Sequence, residues 1–397
     1  MARNTPVLAM LAMLLFLAGC GVEGTAVPAE IDVRTLDVGA YPVDKFHHDQ
    51  DSRGAGALVE GMRMSEAVTT GPPIDSTLSV GLRGEVVNDA EFAEEEYLAG
   101  YSADVLRTRN MIVGYASISS DTPAAEGAYL PDPPGTGVIS LVMRFPSESD
   151  AKLAARELED VDFAHAADQN KRLGLSEYPD AYIHWRPGIA DIGTFMAYRQ
   201  FVISLLIQRP RADSADLLDW VRKTLDAQVA LLDTFQPTPT EKIDDLPIDP
   251  DGVLDRVLTA HRGSRAPDPA SFGVYGPSFY THNAFDQTLV RKLLADNGAD
   301  RIGIDDSAAI IRTRDTGTAA DLITGIANNL GSAFDPIKGP GSVPGVKCFH
   351  RTGGGSSDAA YRCYVPYRRY AAIVSAETED DVKQKVAAQY ALLANSM

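Results

Sequence analysis

Side chains that could serve as nucleophiles, general bases or metal ligands are scattered through this 397-residue chain, and few stand at the spacings chemistry demands. Ser149-Asp-Ala-Lys152 has the SxxK spacing, in which a lysine one helical turn on could take the serine proton. No Ser-Asp-Asn or Lys-Thr-Gly accompanies it, and Ser149 falls inside a helix-start signature, so a structural role is expected. The seven histidines include no His-Glu-x-x-His and no i,i+4 pair that would preset a zinc site. His47-His48-Asp49-x-Asp51 comes nearest, but neighbours on an extended segment point opposite ways, so an exposed loop is expected there. Asp249-Pro-Asp251-Gly252 opens like a calcium loop, yet Ala260 stands where an EF-hand needs Glu. An acid-rich helix N-terminus fits it better. The run Arg351 to Asp358 (RTGGGSSD) lacks the lysine and helix of a phosphate cradle and reads as a hairpin turn. No metal, cofactor or catalytic residue is expected from these motifs, although a triad can assemble from distant positions.

The three cysteines are more informative. Cys20 ends the segment LAMLLFLAGCGVEGTAVPAE: Arg3 gives a weakly positive start, Val7 to Phe16 is apolar, and small residues follow. This is the form of a secretory signal, and the apolar run is shorter than the about 20 residues needed to span a bilayer. Leu17-Ala-Gly-Cys20 is similar to a bacterial lipobox, in which the thiol receives diacylglycerol and the peptide is cut just before it. Residues 1–19 are then a signal and 20–30 a tether, with Cys20 the membrane anchor on the extracytoplasmic side. Each buried methylene adds about 0.8 kcal/mol, so two or three acyl chains hold firmly. In that compartment Cys348 and Cys363 are expected to pair, closing a loop worth about 3 kcal/mol across a glycine-rich hairpin.

Without residues 1–19 the chain loses Arg3 alone among its charges, leaving a formal charge of −20. Such a surface repels phosphate backbones and anionic headgroups, which excludes nucleic acid as a partner and a polybasic second membrane signal. A lipid, glycan or protein of the envelope is the expected ligand class.

Hydrophobic periodicity gives an α+β reading with two related modules, 31–245 and 246–397, each a mostly antiparallel sheet packed against helices. Strands are expected near 111–119, 137–145, 182–186, 193–198 and 201–208, then 308–314, 346–351, 360–365 and 370–376. Helices are expected from Ser147, over the run DSADLLDWVRKTLDAQVALLDTF, over TGTAADLITGIANNL with Thr318 and Asp321 at cap spacing, and from Thr378. Arg199-Gln-Phe-Val-Ile lies 169 positions before Arg368-Arg-Tyr-Ala-Ala, and Gln228 and Gln389 each begin Gln-x-Ala-Leu-Leu. A duplicated β-α-β-β-β-α unit follows, with its helices on one sheet face and the other face left for a partner unit, N-terminal segments or a ligand.

The stretches FPSESDAKLAARELE, QRPRADSADLLDWVRKTLDAQVALLDTFQPTP and AAQYALLANS, behind a lipobox and with a late cysteine pair, resemble actinobacterial cell-envelope lipoproteins of unknown function, as in mycobacteria and nocardiae. The resemblance implies a location and a two-part fold, and no reaction. One cluster points to recognition: Tyr361, Tyr364, Tyr367, Arg368 and Tyr370 place aromatic rings and a guanidinium close together, as binding surfaces do. The reading is a lipid-anchored, non-catalytic binding module. The alternatives are an envelope hydrolase with a site assembled from distant residues, for which an Asp or Ser beside a histidine in a pocket would speak, and a structural assembly partner.

Overall fold

The computed structural model describes residues 31–396 apart from 126, 133–134, 261 and 354–358. Cys20, the signal at 1–19, the tether at 20–30 and the centre of the glycine-rich turn therefore lie outside the described residues.

Two seven-stranded sheets are built to one plan. The first runs β1 (Val80–Val87), β2 (Val113–Ser120), β3 (Gly137–Arg144), β7 (Phe201–Gln208), β6 (Asp191–Tyr198), β5 (Tyr182–Trp185), β4 (Lys171–Leu173). The second runs β8 (Phe272–Tyr275), β9 (Arg301–Asp305), β10 (Ala308–Arg312), β14 (Tyr370–Ala376), β13 (Tyr361–Tyr367), β12 (Lys347–Arg351), β11 (Phe334–Ile337). Every neighbouring pair is antiparallel.

The helices repeat as well. Two short ones, α3 (Ala90–Glu96) and α4 (Ser102–Thr108), separate the first two strands of the first module, as α7 (Ser278–His282) and α8 (Gln287–Asp296) do in the second. The third strand leads into α5 (Glu148–Ala164) or α9 (Thr316–Asn328), and the last into α6 (Ser214–Thr234) or α10 (Glu379–Asn395). The modules are α+β and duplicated. The repeated unit is longer than β-α-β-β-β-α: two strands and two helices precede that core, and a short edge strand, β4 or β11, follows its first helix.

Three details carry the duplication to single residues. Both β6–β7 and β13–β14 turn through two residues, and Arg199 and Arg368 sit there at φ 54° and 46°, a left-handed conformation that strains a side chain. Gln228 on α6 and Gln389 on α10 are fully buried and clamp backbone upstream of their sheets. Thr69 N and Leu258 N donate to the two Oε1 atoms at 3.0 and 2.8 Å, and the two Nε2 atoms donate to the carbonyls of Ala67 and Arg256 at 2.6 and 2.8 Å. Ser147 caps α5 and Thr378 caps α10 at the expected residues. The cap of α9 is instead Asp315, whose carboxylate accepts from Thr318 N while the Thr318 hydroxyl accepts from Asp315 N.

Helices cover both faces of each sheet, not one. Along β3 and β7, Leu141, Met143 and Val202 pack with Ala151, Ala154, Ala155 and Leu158 of α5. The alternate residues Val138, Val142, Ile203 and Leu205 pack with Leu217, Val221 and Leu225 of α6. Strand alternation sends these sets to opposite sides, which is why β2 and β3 are buried at every position.

The described residues from 32 onwards form one compact unit. The modules meet where α7 and the start of α8 dock on β1 and β2. Gly81 N donates to the Ala284 carbonyl and Gln287 N to the Ser79 carbonyl, both at 2.8 Å, and His282 is buried between Ser65 and Ser117. The helix α1 (Gly56–Met64) lies in the same joint, where a Cβ on Gly61 would stand 2.6 Å from Val86 and 2.7 Å from Val113. Among the described residues no helix is long and apolar enough to cross a membrane.

Candidate functional site

Cys348 and Cys363 are register partners on β12 and β13, with their sulfurs at bonding distance, 1.95 Å. The five residues expected to form a binding face do not share one. Strand alternation turns Tyr361 and Tyr367 to one side of β13 and Tyr364 to the other. Tyr367 and its partner Tyr370 are buried under α10, where Tyr367 meets Tyr390 edge-on at 5.2 Å and Tyr370 lies 5.6 Å from the Arg256 guanidinium. Tyr361 is half-buried against His350, and Arg368 is exposed in the turn. These tyrosines are therefore mostly core, because a tyrosine-rich strand between two helix layers buries both of its faces.

Tyr364 does reach a cavity. Between the second sheet and α8–α9 lies an apolar space of about 230 Å³, whose walls include Val290, Leu293, Leu322, Ile326, Leu330 and Ile373. Tyr280, Asn283, Tyr364 and Arg362 are the polar residues on its wall. Burial pushes the Tyr280 hydroxyl up to about 12 and raises that of Tyr364. The Arg362 guanidinium lies 5.7 Å from the Phe334 ring, so this cation is on the β11 side of the wall.

The duplication identifies the same place in the first module. Counted from the caps Ser147 and Asp315, Leu158 corresponds to Ile326 and Asp162 to Leu330. Counted from the matched hairpins, Phe195 corresponds to Tyr364 and Gly193 to Arg362, and the cross-strand partners equate His184 with Phe349. There the inner part is packed shut, with Met143, Leu158 and Val202 at 0% exposure and Phe195 at 3%. The outer part is a polar cleft of about 200 Å³, bearing Asp162, His165, Asn170, His184 and Asp191. Burial raises the carboxyls of Asp162 and Asp191, and the His184 and Arg186 charges oppose this. An aspartate beside a histidine is what a hydrolase would need, but no hydroxyl or thiol is among the described residues lining the cleft.

The other motifs have structural roles. His48 is buried rather than exposed, edge-on to Phe46 at 4.9 Å and tilted on Phe272 at 5.1 Å, because its neighbour His47 is held by Asp255 at 2.6 Å. Asp249 accepts from Val253 N and Leu254 N, both at 2.7 Å, and so caps a short 3-10 turn. Among the described residues no group of three His, Cys, Asp or Glu is placed to hold a metal ion. Sequence reading did not single out Asp162, His184, Asp191 or Gly193 as site residues. The available signal was a polar trio where the second module is apolar, visible only after aligning the two.

No curated protein matches the chain. A solved structure, the extracellular domain of PknH from Mycobacterium tuberculosis, is similar at 10% identity and a TM-score of 0.31, over 43% of this chain and 94% of that one. Two family models match in tandem, the N-terminal domain of unknown function DUF7373 over residues 47–248 and its C-terminal counterpart over 253–396. The chain, with its two duplicated modules, belongs to the DUF7373 family.

Proposed function

We propose that this is an extracytoplasmic binding module of the cell envelope, held at the outer face of the membrane by lipid on Cys20. It takes the aliphatic end of an envelope molecule into the second module's cavity. The observation that carries this reading is the apolar space beneath α8 and α9, at a position the first module fills with side chains. The space is smaller than the about 300 Å³ at which drug-sized sites begin, so it suits a chain end and not a whole lipid. Each methylene buried there contributes about 0.8 kcal/mol.

The test is fluorescence of cis-parinaric acid with the delipidated full chain, and with Ile326→Trp, which fills the wall. Enhanced emission that saturates with the unaltered chain and weakens about tenfold in the variant supports the reading. Absence of enhancement, or equal binding by both, overturns it. Fractionation of a Cys20→Ser form tests the location separately, with release from the membrane the expected result.

A further inference from the structure

We propose that the polar cleft of the first module, between α5 and the β5–β6 hairpin, is a second and separate site that binds one sugar ring of an envelope glycan. The starting point is His184, whose side chain is nine-tenths buried yet makes no hydrogen bond with the described residues. Its Nδ1 stands 3.7 Å from Glu159 Oε1 and its Nε2 3.6 Å from Asp162 Oδ2, both beyond hydrogen-bond reach. Nδ1 is the buried atom left unmet, whereas Nε2 stands beside Asp162 and Gly193 and is the nitrogen a ligand in the cleft would meet.

The two carboxylates beside it differ. Glu159 is taken by Arg172 through contacts of 3.2 and 3.0 Å, and that guanidinium lies 3.9 Å from the Phe163 ring centre. Asp162 and Asp191 accept no hydrogen bond from the described residues, although both line the cleft. Asn170 spends its Nδ2 on the Phe163 carbonyl at 3.0 Å and keeps its Oδ1 for a visitor. The cleft thus offers several acceptors, the His184 imidazole, a second imidazole on His165 whose Nε2 is spent on the Gly100 carbonyl at 3.1 Å, and the Arg186 guanidinium, a set that matches vicinal hydroxyls donating to Asp162 and Asp191 while one accepts from His184.

Gly193 marks where a ligand atom would sit. A Cβ there would stand 3.2 Å from His184 Cε1, 3.3 Å from His184 Nε2 and 3.6 Å from Asp162 Oδ2, so an atom in that space touches both groups. The rim is apolar, as the C–H face of a sugar requires. Ile189 and Leu206 are 41% and 38% exposed, and Trp185 is tied to the same turn by its Nε1 donating to the Ile189 carbonyl at 2.7 Å. An anion is disfavoured by the two aspartates. A metal is disfavoured because among the described residues no three His, Cys, Asp or Glu side chains converge to hold one. The volume of about 200 Å³ restricts the guest to one ring.

The test is saturation-transfer NMR on the full chain with the methyl glycosides of arabinose, galactose, mannose and glucose, with putrescine as competitor. The expected result is saturation transfer to at least one glycoside at millimolar concentration, weakened about tenfold or more in both Gly193→Ala and Asp162→Asn and unchanged in Ile326→Trp. Gly193→Ala adds one methyl to a half-buried strand position, so it keeps the test decisive if Asp162→Asn fails to fold. Transfer to none of the four, equal transfer in Gly193→Ala, or displacement by putrescine would each overturn the assignment. Because Ile326→Trp blocks only the apolar cavity, failure here is distinguishable from failure of the lipid reading.

Discussion

Lowering the pH should loosen the joint between the modules through His282. The ring is fully buried, with Nε2 2.9 Å from the Ser65 carbonyl and Nδ1 2.8 Å from Ser117 Oγ. A carbonyl only accepts, so Nε2 carries the proton and Nδ1 accepts from the hydroxyl, which satisfies the neutral ring. Burial holds its pKa down to about 4, from 6.5. A histidine depressed in this way takes up its proton more readily in the unfolded chain. Its contribution is therefore whole above pH 6.5 and is lost as pH falls towards 4. A difference of about 2.5 pH units at about 1.36 kcal/mol each bounds the loss at about 3 kcal/mol, of which about 2 kcal/mol is gone at pH 5. That is a large part of a net stability of about 5–15 kcal/mol. Urea denaturation at several pH values, for the unaltered chain and His282→Gln, isolates the effect, since buried carboxyls such as Asp305, raised to about 6, titrate in both. The variant should start less stable at neutral pH but lose about 2 kcal/mol less on acidification to pH 5. Parallel curves would refute the assignment of the neutral ring to the joint.

Three further outcomes follow from buried groups. Glu60 is fully buried against Arg144 and also accepts from Thr238 N at 3.0 Å, so Glu60→Ala should cost about 3–5 kcal/mol by stranding the guanidinium, and a loss below about 1 kcal/mol in urea denaturation would contradict that. Gln228→Leu and Gln389→Leu should each cost about 1–3 kcal/mol by orphaning a backbone donor and acceptor, and a neutral result at either position would break the proposed equivalence of the two clamps. Reduction with dithiothreitol should lower stability by about 3 kcal/mol through the loop between Cys348 and Cys363, and Cys363→Ser should abolish the sensitivity.

What could be read from the sequence was whatever is written in short-range spacing. The caps Ser147 and Thr378, the central strands and the two Gln-x-Ala-Leu-Leu helices follow from local rules, and the duplication followed from matching them. The cap of α9 was misread by three residues because Asp315 and Thr318 both suit the role and only geometry chooses between them. The edge strands β4 and β11 are three and four residues long, too short to show a period. The site failed for a different reason. Aromatic clustering in sequence signalled a surface, but a strand covered on both faces turns alternate tyrosines into core. Conversely, Asp162, His184 and Gly193 lie on three elements and matter because hydrogen bonds between them are missing, a property no spacing encodes.

The central claim, that the second module houses an aliphatic guest, is met most directly by native mass spectrometry of the full chain purified from its own host's membrane, beside Ile326→Trp prepared in the same way. The account predicts a non-covalent adduct of lipid mass on the unaltered chain, released by collisional activation and absent from the variant. A bare chain in both preparations, or the same adduct on each, would contradict it.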